Sequence, residues 1–213
     1  MALSLDTLED INDYANHAHD KIFDSSYYIV GQYDYLDEQL AKQGINCATV
    51  RSDEIDGYLR WSQEDNKPVI AANRQFHRAS VHRRFVYAHE FAHLVVDYDW
   101  DVDKPKASRD KLRSLYRSNK EEFLDVVVFH NPIKSDDKAV HEIVVNEFAS
   151  AFLIPKDKLQ PIIDMAKGTN ISDKDLITEI AYTFSTSLNT AEYRLKSYTN
   201  YLKAKQAKEY KEN

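Results

Sequence analysis

The sequence predicts a mostly helical α+β fold, with a small antiparallel sheet beside a central helix and a helical C-terminal portion. Three observations predict it. Apolar residues recur at helical spacing over most of the chain, and glycine is scarce, with 4 among 213 residues. Short strand-like runs cluster at 45–50, 57–61 and 68–72. The stretch after 155 offers nothing but helical patterns, at about 156–166, 173–183 and 188–206.

Taken in order, Leu5, Leu8, Ile11, Ala15, Ala18 and Ile22 are spaced for an amphipathic helix. A second helix is expected over about 31–42, ended by Gly44. The three strand candidates follow, with Glu64, Asp65, Asn66 and Lys67 as a polar turn between the last two. Residues 80–97 form the central helix, with Ser80 as N-cap and an apolar stripe of Phe85, Ala88, Ala92, Val95 and Val96. Residues 97–139 are rich in charge and show no clear period. Their Val-Val-Val-Phe run at 126–129 makes 123–130 a strand candidate. An apolar helix over about 139–153 stops at Ile154-Pro155, and 203–213 reads as a frayed, charged helix end. This divides the chain into residues 1–155, carrying the chemistry, and a helical portion at 156–213.

Composition excludes several classes. One cysteine, Cys47, permits no intrachain disulfide and no cysteine-based zinc ribbon. No signal peptide and no apolar run of membrane-spanning length is visible, so a cytoplasmic protein without membrane association is expected. The net charge of −7 argues against a nucleic-acid coat protein.

The central helix carries His89-Glu90-Phe91-Ala92-His93. Two histidines four apart share one helix face, at the spacing that lets both imidazoles bind one tetrahedral metal. The glutamate after the first histidine lies beside the open position, where it can act as base. Five-letter motifs do arise by accident. The apolar stripe makes accident a poor account here, because histidines beside a core need partners and a metal is one.

A catalytic zinc commonly takes three protein ligands and a water. The helix at 139–153 offers Glu142 and Glu147. At about 100° per residue, Asn146 lies roughly 40° from Glu142 and Glu147 roughly 140° away. Glu142 thus shares a face with Asn146 and Ala149, and is preferred as the third ligand. The plainer reading of Glu142 is a surface charge near a helix N-terminus. Glu147 reads as a partly solvated edge. Asp97, four after His93, reads as a helix-end charge before it reads as a partner of the ligand. His77, His82, His130 and His141 read as surface histidines rather than helpers in catalysis.

Arg84-Phe85-Val86-Tyr87-Ala88 leading into the motif resembles the R-F-x-x-A-H-E-x-x-H block of ImmA/IrrE-type metallopeptidases. The run from Glu142 through Asn146, Phe148, Ala149 and Leu153 to Pro155 resembles that family's second block, E-x-x-A-N-x-F-A-x-x-L-L-M-P. Asp56-Gly57-Tyr58 and 68–73 resemble the strand pair before its active-site helix. The likeness spans about 40–195. Val145 stands where that family has alanine, and a charged insertion near 99–138 lengthens the gap between blocks.

The resemblance implies a zincin-like active-site helix and one Zn2+, or another divalent metal such as Mn2+. It implies His89, His93 and Glu142 as ligands and Glu90 as the catalytic base. The implied substrate is a helix-turn-helix repressor, cut at specific sites in phage, mobile-element or stress-response regulation. Residues 174–198 themselves resemble a helix-turn-helix. Their second helix offers only Arg194 and Lys196 as cations, with Glu192 opposing, so packing or protein recognition is expected over direct nucleic-acid binding. The competing functions are a DNA-binding regulator and a metal-holding scaffold without turnover, the second of which would have no use for Glu90.

Overall fold

The structure is a computed structural model that describes residues 3–23, 35–53, 55–75, 80–118, 135–169 and 171–212. Among these the helices are α1 (Leu5–Phe23), α2 (Leu36–Lys42), α3 (Ser80–Tyr98), α4 (Pro105–Ser118), α5 (Ser135–Leu153), α6 (Lys156–Lys167), α7 (Asp173–Thr183) and α8 (Leu188–Glu212). The strands are β1 (Asn46–Val50), β2 (Gly57–Ser62) and β3 (Lys67–Asn73). The fold is mostly helical α+β, as the sequence predicts. The strand candidate at 123–130 and the first part of the expected 31–42 helix lie outside the described residues, as do His77 and His130.

Local chemistry sets the boundaries. Ser4 caps α1 by accepting the Thr7 amide through its hydroxyl at 3.1 Å. Gly44 follows α2 with φ of +81°, a left-handed conformation that costs glycine nothing. Asn66, at φ 54°, closes the β2–β3 hairpin in the polar turn expected there. Pro155 lacks an N–H, ends α5 and takes the N-cap position of α6. Ser172 accepts the Asp175 amide at 3.2 Å to start α7. The expected frayed tail is instead helical to Glu212, and the charged region contains the helix α4.

The sheet differs from expectation in one pairing. Its order is β1-β3-β2, with β2 antiparallel to β3 and β1 parallel to β3. The pairing of Cys47 with Ile70 and of Leu59 with Ile70 fixes the two registers. β3 is the most apolar strand, and the central place buries Pro68 to Asn73 throughout. Asn73 then locks the crossover from β1 to β2. Its buried side-chain amide donates to the carbonyls of Ser52 at 2.6 Å and Ile55 at 2.7 Å. A sequence turn signal marks the local hairpin but carries no information about this long-range insertion.

One face of the sheet carries α3, and α3 packs against α5, which packs in turn against α1. Rings fill the joint: Phe91 lies 5.1 Å from Phe152, and Phe148 stacks on Phe152 at 6.4 Å. Burying each such side chain contributes about 1.5–3 kcal/mol, and together they fix how α5 crosses α3. The buried core runs without a break from Ile11 to Tyr201, so both halves of the chain share it. Gly57 lets α3 approach β2 closely. A Cβ there would run into Val86 Cγ1 and lie 2.9 Å from the Ala71 carbonyl oxygen and 3.2 Å from Glu90 Oε1. Among the described residues no helix is long and apolar enough to cross a membrane.

Candidate metal centre

The packing of α5 on α3 brings His89, His93 and Glu142 together. The two Nε2 atoms are 3.2 Å apart. The Glu142 carboxylate lies 3.6 Å from His89 Nε2 and 3.9 Å from His93 Nε2. Bonds of the usual zinc length to a tetrahedral ion would place such donors roughly 3.3 Å from one another.

The tautomers follow from the partners. His89 Nδ1 lies 3.1 Å from Asn146 Oδ1, and His93 Nδ1 lies 2.8 Å from Asp97 Oδ2. Both partners are acceptors, so both Nδ1 atoms carry the proton and donate it. Each Nε2 then turns its lone pair toward the shared space. This is the arrangement by which outer carboxylates and amides orient metal-binding imidazoles. The donor set fits one zinc ion, or another borderline divalent metal, with a position left for a water.

Access is graded. His93 is 3% exposed, His89 20% and Glu142 33%, so the centre is closed below and open on the α5 side. Asp97 is almost wholly covered and also meets His141, whose Nε2 lies 2.8 Å from Asp97 Oδ1, outside hydrogen-bond angle. The helix-end reading of Asp97 is therefore corrected: it fixes the ring of His93. Its signal was the i,i+4 spacing from His93, which a solvated terminus would also show. His141, next to Glu142 in sequence, lies against the Asp97 carboxylate rather than facing solvent alone.

Glu147 is also corrected. It faces away from the triad, as the helix geometry requires, but is 2% exposed rather than a solvated edge. Its Oε1 lies 3.2 Å from Arg194 and accepts the Ser197 hydroxyl at 2.7 Å, and its Oε2 accepts the Tyr193 hydroxyl at 3.2 Å. Arg194 is fully buried and also donates to the Ile154 carbonyl and to Asn12 Oδ1. It is thereby unavailable to a DNA backbone.

Burial raises the Glu90 carboxyl from 4.5 to about 7, with His93 pulling it down and the Glu142 charge pushing it up. Burial opposes charge on His93, but the Asp97 hydrogen bond and the charges of Glu90, Asp97 and Glu142 outweigh it and raise its pKa. In the metal-free chain an ionised Glu90 weakens the fold. The folded state keeps this proton between 4.5 and about 7 while the unfolded state loses it, so stability falls as pH rises through that window. The metal-free Glu90→Gln chain is expected to match wild type below pH 4.5 and to exceed it by up to about 3 kcal/mol at pH 8. Urea titration at the two pH values checks this, and an unchanged gap between the proteins would contradict it.

A scan against protein-family models finds no match, and a search of curated proteins finds none either. Among solved structures, one similar chain is a Mycobacterium tuberculosis transcriptional regulator, at 18% identity and a TM-score of 0.48. The match covers 88% of this chain and 49% of that one, so the chain spans about half the length of that neighbour.

Proposed function

We propose that the chain is a metal-dependent endopeptidase that takes one zinc ion on His89, His93 and Glu142 and cuts a regulatory protein, a helix-turn-helix repressor, at one or a few sites. The observation that carries this reading is the convergence, within 3.2–3.9 Å, of the Glu142 carboxylate on α5 with two Nε2 lone pairs on α3, the helix that also presents Glu90. When bound, the metal supplies Lewis acidity, acidifying a water and polarising a peptide carbonyl.

Everything else falls to the chain. Asn146 and Asp97 hold the two imidazoles in the tautomer that coordinates. Glu90 accepts a proton from the attacking water on its carboxylate and delivers it to the departing amine nitrogen as the C–N bond breaks. The open side at Glu142 gives a polypeptide access. The repressor substrate rests on the resemblance of the two sequence blocks. The DNA-binding alternative loses its principal cation, because Arg194 is spent on Glu147 inside the core.

The test is to incubate the zinc-loaded chain with a helix-turn-helix repressor from its own genome and, separately, with casein. The expected result is one or few cuts in the repressor and little in casein. Cleavage of casein at many sites with the repressor intact would overturn the substrate, and no cleavage of either would overturn the activity.

A further inference from the structure

A cavity of about 480 Å3 opens beside the triad, between α3, α5 and the first turn of α8. Phe85, Val86 and Ile143 form its apolar walls, and Asn146, Thr190 and Tyr193 are among its polar ones. Two of its lining residues neighbour the metal centre. Asn146 is the residue that holds His89 Nδ1, and the Phe85 ring lies 6.3 Å from the His89 ring. In a chain with 30% charged residues, no Asp, Glu, Lys or Arg among the described residues lines this cavity.

Of the polar residues that line it, Tyr193, Thr190, Ser187 and Asn146 are already engaged, while His82 and Asn189 are exposed. The Tyr193 hydroxyl donates to Glu147 at 3.2 Å, and Thr190 Oγ1 bonds Ser187 Oγ at 2.8 Å in the cap of α8. Asn146 Oδ1 accepts from His89. A charged side chain entering here would lose its hydration without finding an opposite charge, whereas an apolar one gains by leaving water. The volume falls within the range of small-molecule pockets, about 300–1,000 Å3, and suits a whole aromatic or branched side chain.

The geometry points to a specificity pocket that takes one large apolar side chain of the polypeptide substrate, next to the bond being cut. The inference rests on the peptidase reading and adds the substrate's chemistry. It also gives the α7–α8 pair a role: the first turn of α8 is a wall of the substrate site. Ile143, half-buried and next to Glu142 on α5, is the wall position at which a charge can be introduced.

Two measurements test it. Blocked peptides that differ only in the residue beside the cut are offered to the zinc-loaded full chain. Peptides with Phe, Leu or Met there are expected to be cut best. Ile143→Lys is expected to slow them on the order of 10–200-fold and to turn preference toward Asp and Glu. An unchanged preference in the variant would overturn the pocket.

The second measurement needs no turnover. The metal-free, 15N-labelled chain is titrated with N-acetyl-phenylalaninamide and with N-acetyl-lysinamide. The first is expected to move the amides of Ile143, Asn146, Thr190 and Tyr193, and the second to leave them. Equal effects, or none, would overturn the pocket. Selective shifts without any cleavage would uphold the pocket and refute the peptidase reading alone.

Discussion

Glu90→Gln is expected to lower peptide-bond cleavage by about 10²–10⁴-fold while leaving metal content and fold intact. The substitution keeps size and shape and removes only the ability to take a proton. Glu90 is buried against α3's own sheet contact, where Gly57 leaves it room, and none of the three converging donor atoms belongs to it. Chemistry should therefore suffer and coordination should not. Turnover is measured on the repressor substrate at matched zinc content. A Glu90→Gln chain that cuts at the wild-type rate would end the proposed role of this carboxylate. One that loses zinc along with activity would place Glu90 among the ligands instead.

Arg194→Ala is expected to destabilise the chain by about 3–5 kcal/mol, because it leaves the Glu147 carboxylate buried without its cation. The loss should appear as a fall in Tm on the order of 10 °C for a chain of this length. Three hydrogen bonds go with the guanidinium, to Ile154 O, Glu147 Oε1 and Asn12 Oδ1, and these tie α8 to the end of α5 and to α1. The paired change Arg194→Met with Glu147→Leu is expected to cost less than Arg194→Ala alone, since it removes both charges together. Thermal unfolding of the three proteins decides. A Tm for Arg194→Ala within two or so degrees of wild type would contradict a structural pair and return Arg194 to the surface-cation reading.

The features legible in the sequence were those written in short-range periodicity. The H-E-x-x-H spacing and the 100° step of a helix suffice to turn His89 and His93 to one side and to separate Glu142 from Glu147. Gly44 and Pro155 end their helices through backbone properties that any sequence displays. What stayed hidden depended on residues far apart in the chain. Glu147 looked solvated because its partner, Arg194, stands on a helix 47 positions away. Asp97 looked like a terminal charge because its burial is set by α5, where His141 covers it. The parallel β1–β3 pairing was invisible for the same reason, since only the β2–β3 hairpin has a local turn to announce it. The walls of the pocket come from three helices, and no single stretch of sequence shows that Phe85, Ile143 and Tyr193 share a cavity.

The measurement that bears most directly on the central claim is the zinc content of the chain after dialysis against zinc and then against zinc-free buffer. Wild type is expected to retain one ion per chain. Glu142→Ala, which removes the donor 3.6 Å from His89 and 3.9 Å from His93, is expected to lose it. Glu147→Gln, altered on the opposite side of the same helix, is expected to keep it. Zinc retained by Glu142→Ala and lost from Glu147→Gln would contradict the centre described here.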